Sequence, residues 1–250
     1  MIRLASAAAL ALALATGPVA ALDLTNMTDA ERQAFRDEVR AYLLDNPEVL
    51  IEAINLLEQK QAAAEAHADR EMIKGYADAI FNDGYSWVGG NPEGDVTLVE
   101  FMDYRCGYCR KAASEVDALL SSDGNIRLIV KEYPILGDAS VKSSRFAIAA
   151  HQLLGYEAYQ QVHEALIAFK GEVTDVALRR LGDGLGLDTD AIMEHMDSDE
   201  VTQVIAKNHA LARALKISGT PTFILGDQIL RGYLPAEQMQ ELVDEVRAGG

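Results

Sequence analysis

The chain has 250 residues, 49% of them hydrophobic, with 39 Asp and Glu against 22 Lys and Arg and a formal net charge of −17. A surface with that balance repels phosphate backbones and offers no basic stripe, so nucleic acid is excluded as an expected partner. Only two cysteines are present, while the length suffices to bury a sizeable core in one large domain or one domain with an appendage.

The opening "MIRLASAAALALALATGPVAALDL" has a basic start at Arg3, a small-apolar run ended by Gly17-Pro18, and small residues at Val19, Ala20 and Ala21. This pattern predicts a secretory signal peptide over residues 1–21. A retained membrane anchor is the alternative, and the run is short and alanine-rich for a spanning helix. No later segment is apolar for long enough to span a bilayer, so the mature chain is expected to be soluble outside the cytoplasm.

Residues 22–84 read as an N-terminal helical region. Thr28 is placed to cap "DAERQAFRDEVRAYLLDN", with Glu31 completing a capping box and Phe35, Val39, Tyr42 and Leu43 forming one apolar stripe. Asn46-Pro47 interrupts, since proline is tolerated only in a first helical turn. A second helix is expected from Pro47 to Asn82, with Leu50, Ile54 and Leu57 at four-and-three spacing. Self-association through this stripe and a helix folded back on its own domain are both open readings.

The texture changes to turn residues in "NDGYSWVGGNPEGD". "VTLVEFM" then reads as a buried strand and "IRLIVKEY", Ile126 to Tyr133, as a second, with a helix between them carrying "GYCRKAASEVDALLSS". That unit predicts parallel strands and a right-handed crossover. Residues 85–137 would be the first part of a core, 138–216 a helical insertion, and 217–250 the second part. There "TPTFILGDQILRGY" reads as a hairpin turning at Gly226-Asp227 and "PAEQMQELVDEV" as a closing helix.

Cys106 and Cys109 stand three apart. A bridge between them closes almost no loop, so it adds little stability by chain entropy and is better explained by chemistry than by stapling. After a strand and at a helix start, unpaired N–H groups and the helix dipole stabilise an anion, making Cys106 the expected nucleophile. Cys109, one turn on, is placed to attack the mixed disulfide that Cys106 forms. Gly107 and Tyr108 between them are expected to tune acidity and contact. A structural zinc site lacks two further ligands, a c-type haem lacks His after Cys109, and a papain-like protease lacks its flanking signature. An inert buried pair is the remaining alternative.

"TLVEFMDYRCGYC", "KEYPILG" and "SGTPTFILG", in that order and separated by a helical insertion, resemble the DsbA-like branch of the thioredoxin superfamily over roughly residues 85 to 248. The resemblance implies an α/β, thioredoxin-like fold with an inserted helical domain, preceded by the N-terminal helical segment. It also implies a cis bond between Thr220 and Pro221 facing the dithiol. Glu100 matches the family's buried acid, which would titrate high and relay protons, with Lys131 either its charge partner or a strand-edge charge beside Glu132. "VRAYLLDNPEVLIEAINLLEQKQ" is similar to the N-terminal region of ScsC-type proteins, which are associated with copper tolerance; some assemble as trimers and act as disulfide isomerases.

The leading expectation is a periplasmic thiol-disulfide oxidoreductase of isomerase or reductase type. It would act on misfolded or reduced exported proteins as a homo-oligomer, be kept reduced by a DsbD-like membrane thiol reductase, and need no cofactor beyond the redox-active Cys106–Cys109 disulfide. A monomeric DsbA-like oxidase is the second reading. The third is a Cu(I)-binding protein using the same thiolates, soft ligands for a soft ion, with Met193, His195 and Met196 of "MEHM" as an auxiliary soft site or as an ordinary helix end.

Overall fold

The computed structural model describes residues 25–249, so the expected signal peptide lies outside the described residues. The chain divides into two compact units, one ending at Lys60 and the other starting at Gln61.

In the first unit, α1 (Asp29–Asp45) begins with the expected capping box: the Glu31 N–H donates to Thr28 Oγ1 at 3.3 Å and the Thr28 N–H to the Glu31 carboxylate at 2.8 Å. It stops at Asn46, whose backbone and side-chain N–H groups both donate to the Tyr42 carbonyl, and Pro47 follows. No residue of α1 is buried. Phe35, Val39 and Tyr42 on α1, and Leu50, Ile54 and Leu57 on the start of α2 (Glu48–Gly75), are each 42–56% exposed.

The second unit is built on a five-stranded sheet in the order β1-β3-β2-β4-β5: β1 (Trp87–Gly90), β2 (Val96–Met102), β3 (Ile126–Glu132), β4 (Thr222–Leu225) and β5 (Gln228–Arg231). β2 and β3 are parallel and joined through α4 (Gly107–Asp123), while the other pairs are antiparallel. Between β3 and β4 come α5 (Asp138–Leu154), α6 (Tyr156–Ala168), α7 (Asp175–Gly184), α8 (Thr189–His195) and α9 (Asp199–Ala214). α10 (Ala236–Gly249) closes the chain.

Period-two alternation divides the strands between two cores. Leu98, Met102, Leu128, Val130 and Phe223 face one side with Val116 and Leu119 of α4 and Met239 and Val243 of α10. Val99, Phe101, Ile129 and Ile224 face the other with Ile73 of α2, Ile80 of α3 (Ala77–Phe81) and Leu211 of α9. The hairpin turns at Gly226, whose φ of 59° favours glycine and where a Cβ would lie 2.7 Å from the Val246 side chain.

Two expectations are corrected. The helix read as continuous to Asn82 ends at Gly75 and resumes as α3, a break where glycine carries the largest backbone entropy cost. The stretch read as turns contains β1, an edge strand paired with β3. Its two glycines hide it from propensity, and the pairing with β3 forms it anyway.

Candidate functional site

Cys106 caps α4. Its φ of −74° and ψ of 120° are extended, and its Sγ accepts the Cys109 N–H at 3.4 Å. The thiol therefore sits where the first-turn N–H groups of a helix are unpaired and favour a developing thiolate. Its S–H donates to the Thr220 carbonyl at 3.1 Å. Thr220-Pro221 is a cis peptide, and the Pro221 carbonyl accepts from the Gly232 N–H at 3.0 Å. Both cysteines are thiols here; Cys106 is 7% exposed and Cys109 fully buried. Burial pushes the Cys109 thiol well above its ordinary value, and the Glu100 carboxyl adds to the rise. Gly107 and Tyr108 complete the first turn on the solvent side, with Tyr108 66% exposed.

The order of thiols is thus built into the helix. Cys106 is at the surface end with a dipole behind it, and Cys109 is one turn deeper. Such a pair can accept a mixed disulfide at the outer sulfur and release it by attack from the inner one.

Glu100, on β2 beneath the pair, is 5% exposed. Burial, reinforced by the Glu132 and Asp117 carboxyls, raises it to about 8. Lys131 does not partner it. The β2–β3 register sets Glu100 opposite Val130 and Phe101 opposite Lys131, so the two side chains leave opposite faces of the sheet. Lys131 is fully buried and pairs with Asp83, donating also to the Ala79 carbonyl at 3.0 Å.

Two further acids order the site. Asp103, fully buried just before the motif, accepts the Arg105 N–H at 2.7 Å through Oδ1 and the Ile135 and Leu136 N–H groups at 2.8 and 3.1 Å through Oδ2. One carboxylate thereby joins the approach to Cys106 to the loop after β3. Glu132 accepts the Tyr104 and Tyr159 hydroxyls at 2.7 and 2.6 Å and the Ser144 hydroxyl at 2.7 Å. Burial still lifts it to about 7 against those three bonds. His163 Nδ1 meets the Tyr104 hydroxyl at 3.1 Å, and burial lowers this imidazole to about 4. An aspartate three residues before Cys106 was a visible signal for Asp103. Nothing local marked Glu132, whose partners lie 12 to 28 residues away.

"MEHM" forms an ordinary helix end: His195 Nε2 contacts Gln152 Oε1 at 2.7 Å, Met196 is buried, and Met193 packs on the core. Among the described residues no group of three or more His, Cys, Asp or Glu is arranged to hold a metal ion.

A dithiol at a helix N-terminus, set against a cis-proline loop on a central parallel strand pair, defines a thioredoxin-like thiol-disulfide exchange protein. The family description "Thioredoxin" matches residues 82–245, and the chain belongs to that family. A second description, "Copper resistance protein ScsC N-terminal domain", matches residues 31–64, a stretch without cysteine. The chain is similar to a thioredoxin-like oxidoreductase from Silicibacter pomeroyi (43% identity, 68% of this chain and 97% of that one, TM-score 0.64). It is also similar to the thiol-disulfide exchange protein alpha-DsbA2 from Wolbachia pipientis (32%, 73% and 98%, TM-score 0.68). Proteus mirabilis ScsC in a transitional conformation covers more of the chain (27%, 90% and 100%, TM-score 0.65). The chain spans about a quarter of the length of the first curated relatives it matches, such as Na(+)/H(+) antiporter NhaA 1 of Salinispora arenicola (32% identity over 162 residues, 65% of this chain and 25% of the relative). No helix among the described residues is long and apolar enough to cross a membrane.

Proposed function

We propose that this protein is a periplasmic disulfide isomerase or reductase that acts on misfolded or reduced exported proteins. The observation that carries the chemistry is the Cys106 thiol, placed at the α4 N-terminus and against the Thr220 carbonyl. Cys106 is the nucleophile and Cys109 the resolving thiol. Thr220 and Pro221 present backbone to an extended substrate segment, and Glu100 exchanges the proton of Cys109. No cofactor is required beyond the cysteine pair.

The isomerase reading draws its support from the first unit. Six apolar side chains at helical spacing lie open on α1 and α2, a pattern that monomeric surfaces avoid and that a homo-oligomer buries. The match of this stretch to the ScsC N-terminal description agrees with such a role. Several Cys106 nucleophiles around one misfolded chain raise the effective thiol concentration. The dithiol form must be regenerated, which calls for a membrane thiol reductase of the DsbD-like kind.

The test is to incubate the reduced protein with a scrambled-disulfide enzyme and follow recovery of that enzyme's activity. Recovery that disappears in Cys106→Ser supports the proposal. Recovery unaffected by Cys106→Ser, or none at all while the oxidised Cys106–Cys109 form rapidly oxidises reduced peptides, rejects it.

A further inference from the structure

A cleft of about 610 Å³ opens beside α4, walled by α6 and floored by the sheet. Its size lies within the range of small-molecule sites. Glu100 is at the floor, 5% exposed. Among the described residues no hydrogen bond is made to its carboxyl, buried though the residue is. A buried carboxyl in that position is costly to ionise and has unused capacity for a charged donor. Asp117 and Glu164 also line the cleft. Glu164 accepts from Gln160 at 3.0 Å, while Asp117 is raised by burial and by Glu164.

Among the described residues no Lys or Arg lines the cleft. Its one imidazole, His163, is lowered to about 4 by burial and is therefore neutral near pH 7. The carboxyls meet no cationic side chain within the cleft, and Glu100, raised to about 8, stays largely protonated near pH 7 until a cation binds. Besides the polar Ser121 and Gln160, the wall is aromatic and apolar, with Trp87 stacked on Tyr156 at a centroid distance of 5.1 Å and Val116 and Leu128 beside them. An anion is repelled by such a lining. A hard metal ion would need ligands clustered more closely than these. An organic cation satisfies both halves of the lining, because its head pairs with carboxylates while its stem covers aromatic surface.

We propose that this cleft binds a small organic cation, an ammonium or guanidinium group on an apolar stem, with its head at Glu100 and Asp117 and its stem against Trp87 and Tyr156.

The site would be coupled to the dithiol through one residue. A bound cation holds Glu100 as a paired carboxylate, a weaker base than the free one, so it accepts the Cys109 proton less readily. Occupancy therefore holds the inner thiol protonated and slows resolution of mixed disulfides at Cys106. By linkage, reduction or oxidation of the pair shifts affinity for the cation in return.

Trp87 is the sole tryptophan of the chain, so its fluorescence reports the cleft. The experiment titrates the full reduced protein with benzylammonium at constant ionic strength, against benzyl alcohol as the neutral match. The expected result is a saturable change with benzylammonium alone, with affinity weakened at least tenfold in Glu100→Gln and severalfold in Asp117→Asn. Asp117 lies at the exposed rim, so that variant remains informative even where Glu100→Gln disturbs folding. Equal binding of benzyl alcohol, unchanged affinity in both variants, or no saturable response overturns the proposal. The readout involves no thiol reagent, so its failure leaves the exchange reading untouched.

Discussion

The ammonium of Lys131 is held by the Asp83 carboxylate and the Ala79 carbonyl, on the face of the sheet turned away from Glu100. It ties the segment around α3 to the strand beside the dithiol strand. Lys131→Met strands the Asp83 carboxylate in a largely buried position, a class of change that costs about 3–5 kcal/mol. Denaturant unfolding should show that loss, with much of it restored in Lys131→Met/Asp83→Asn, while the rate of Cys106 alkylation stays at the wild-type level. A changed alkylation rate in the folded variant would return Lys131 to the active site.

Asp103→Ala removes the acceptor of three backbone N–H groups from two loops. Each unsatisfied buried donor costs roughly 1–3 kcal/mol. Both the melting temperature and the exchange rate should fall, and hydrogen exchange at Arg105, Ile135 and Leu136 should accelerate together. Acceleration at one loop alone would show that the carboxylate does not couple them.

Stability should decline as pH rises through the neutral range. Glu132 and Glu100 are raised to about 7 and about 8 from an ordinary value near 4.5. Between the ordinary and the folded values the native state holds more protons than the unfolded chain, so rising pH favours unfolding, by up to ~1.4 kcal/mol per pH unit for each proton. The two carboxyls interact, so they titrate as a pair. Urea unfolding of the reduced protein from pH 5 to 8 tests this. Glu100→Gln should flatten the upper half of the profile, and an unchanged slope in that variant would assign the effect elsewhere.

The open stripe on α1 and α2 should mediate self-association. Leu50→Glu with Ile54→Glu is expected to convert an oligomer into a monomer in sedimentation, with the melting transition of the second unit unchanged and scrambled-disulfide recovery reduced severalfold. Wild-type protein that sediments as a monomer would remove this role.

Cys109→Ser should trap mixed disulfides on Cys106, visible as a mass increase under non-reducing conditions. An absence of adducts while exchange continues would show that the sulfurs do not work in the order their depths suggest.

The parts of the fold legible in the sequence were those whose signals are local. "VTLVEFM" and "IRLIVKEY" are strands because β-branched residues fill both faces of a buried pair, and Thr28 with Glu31 marks a helix start by chemistry contained within four residues. What escaped depends on pairing at a distance. Trp87–Gly90 becomes a strand only because β3 offers an edge to it. A partnership of Lys131 with Glu100 fails on parity: the parallel register puts Val130 beside Glu100, and no composition signal reports register. The Glu132 cradle gathers hydroxyls from the loop before α4 and from α5 and α6, a convergence that only tertiary packing produces.

The contact from Cys106 to the Thr220 carbonyl spans 114 residues of chain, with α5 to α9 between its ends. During synthesis from the N-terminus the two thiols emerge early, while the backbone they work against is made last. Contacts of such long sequence separation form late, after the loop-closure cost has been met. A chain still being synthesised therefore carries a cysteine pair without a finished pocket. The exchange site is complete only when the last seventh of the polypeptide has joined the sheet, so the finished fold is what sets the thiols against their backbone partner.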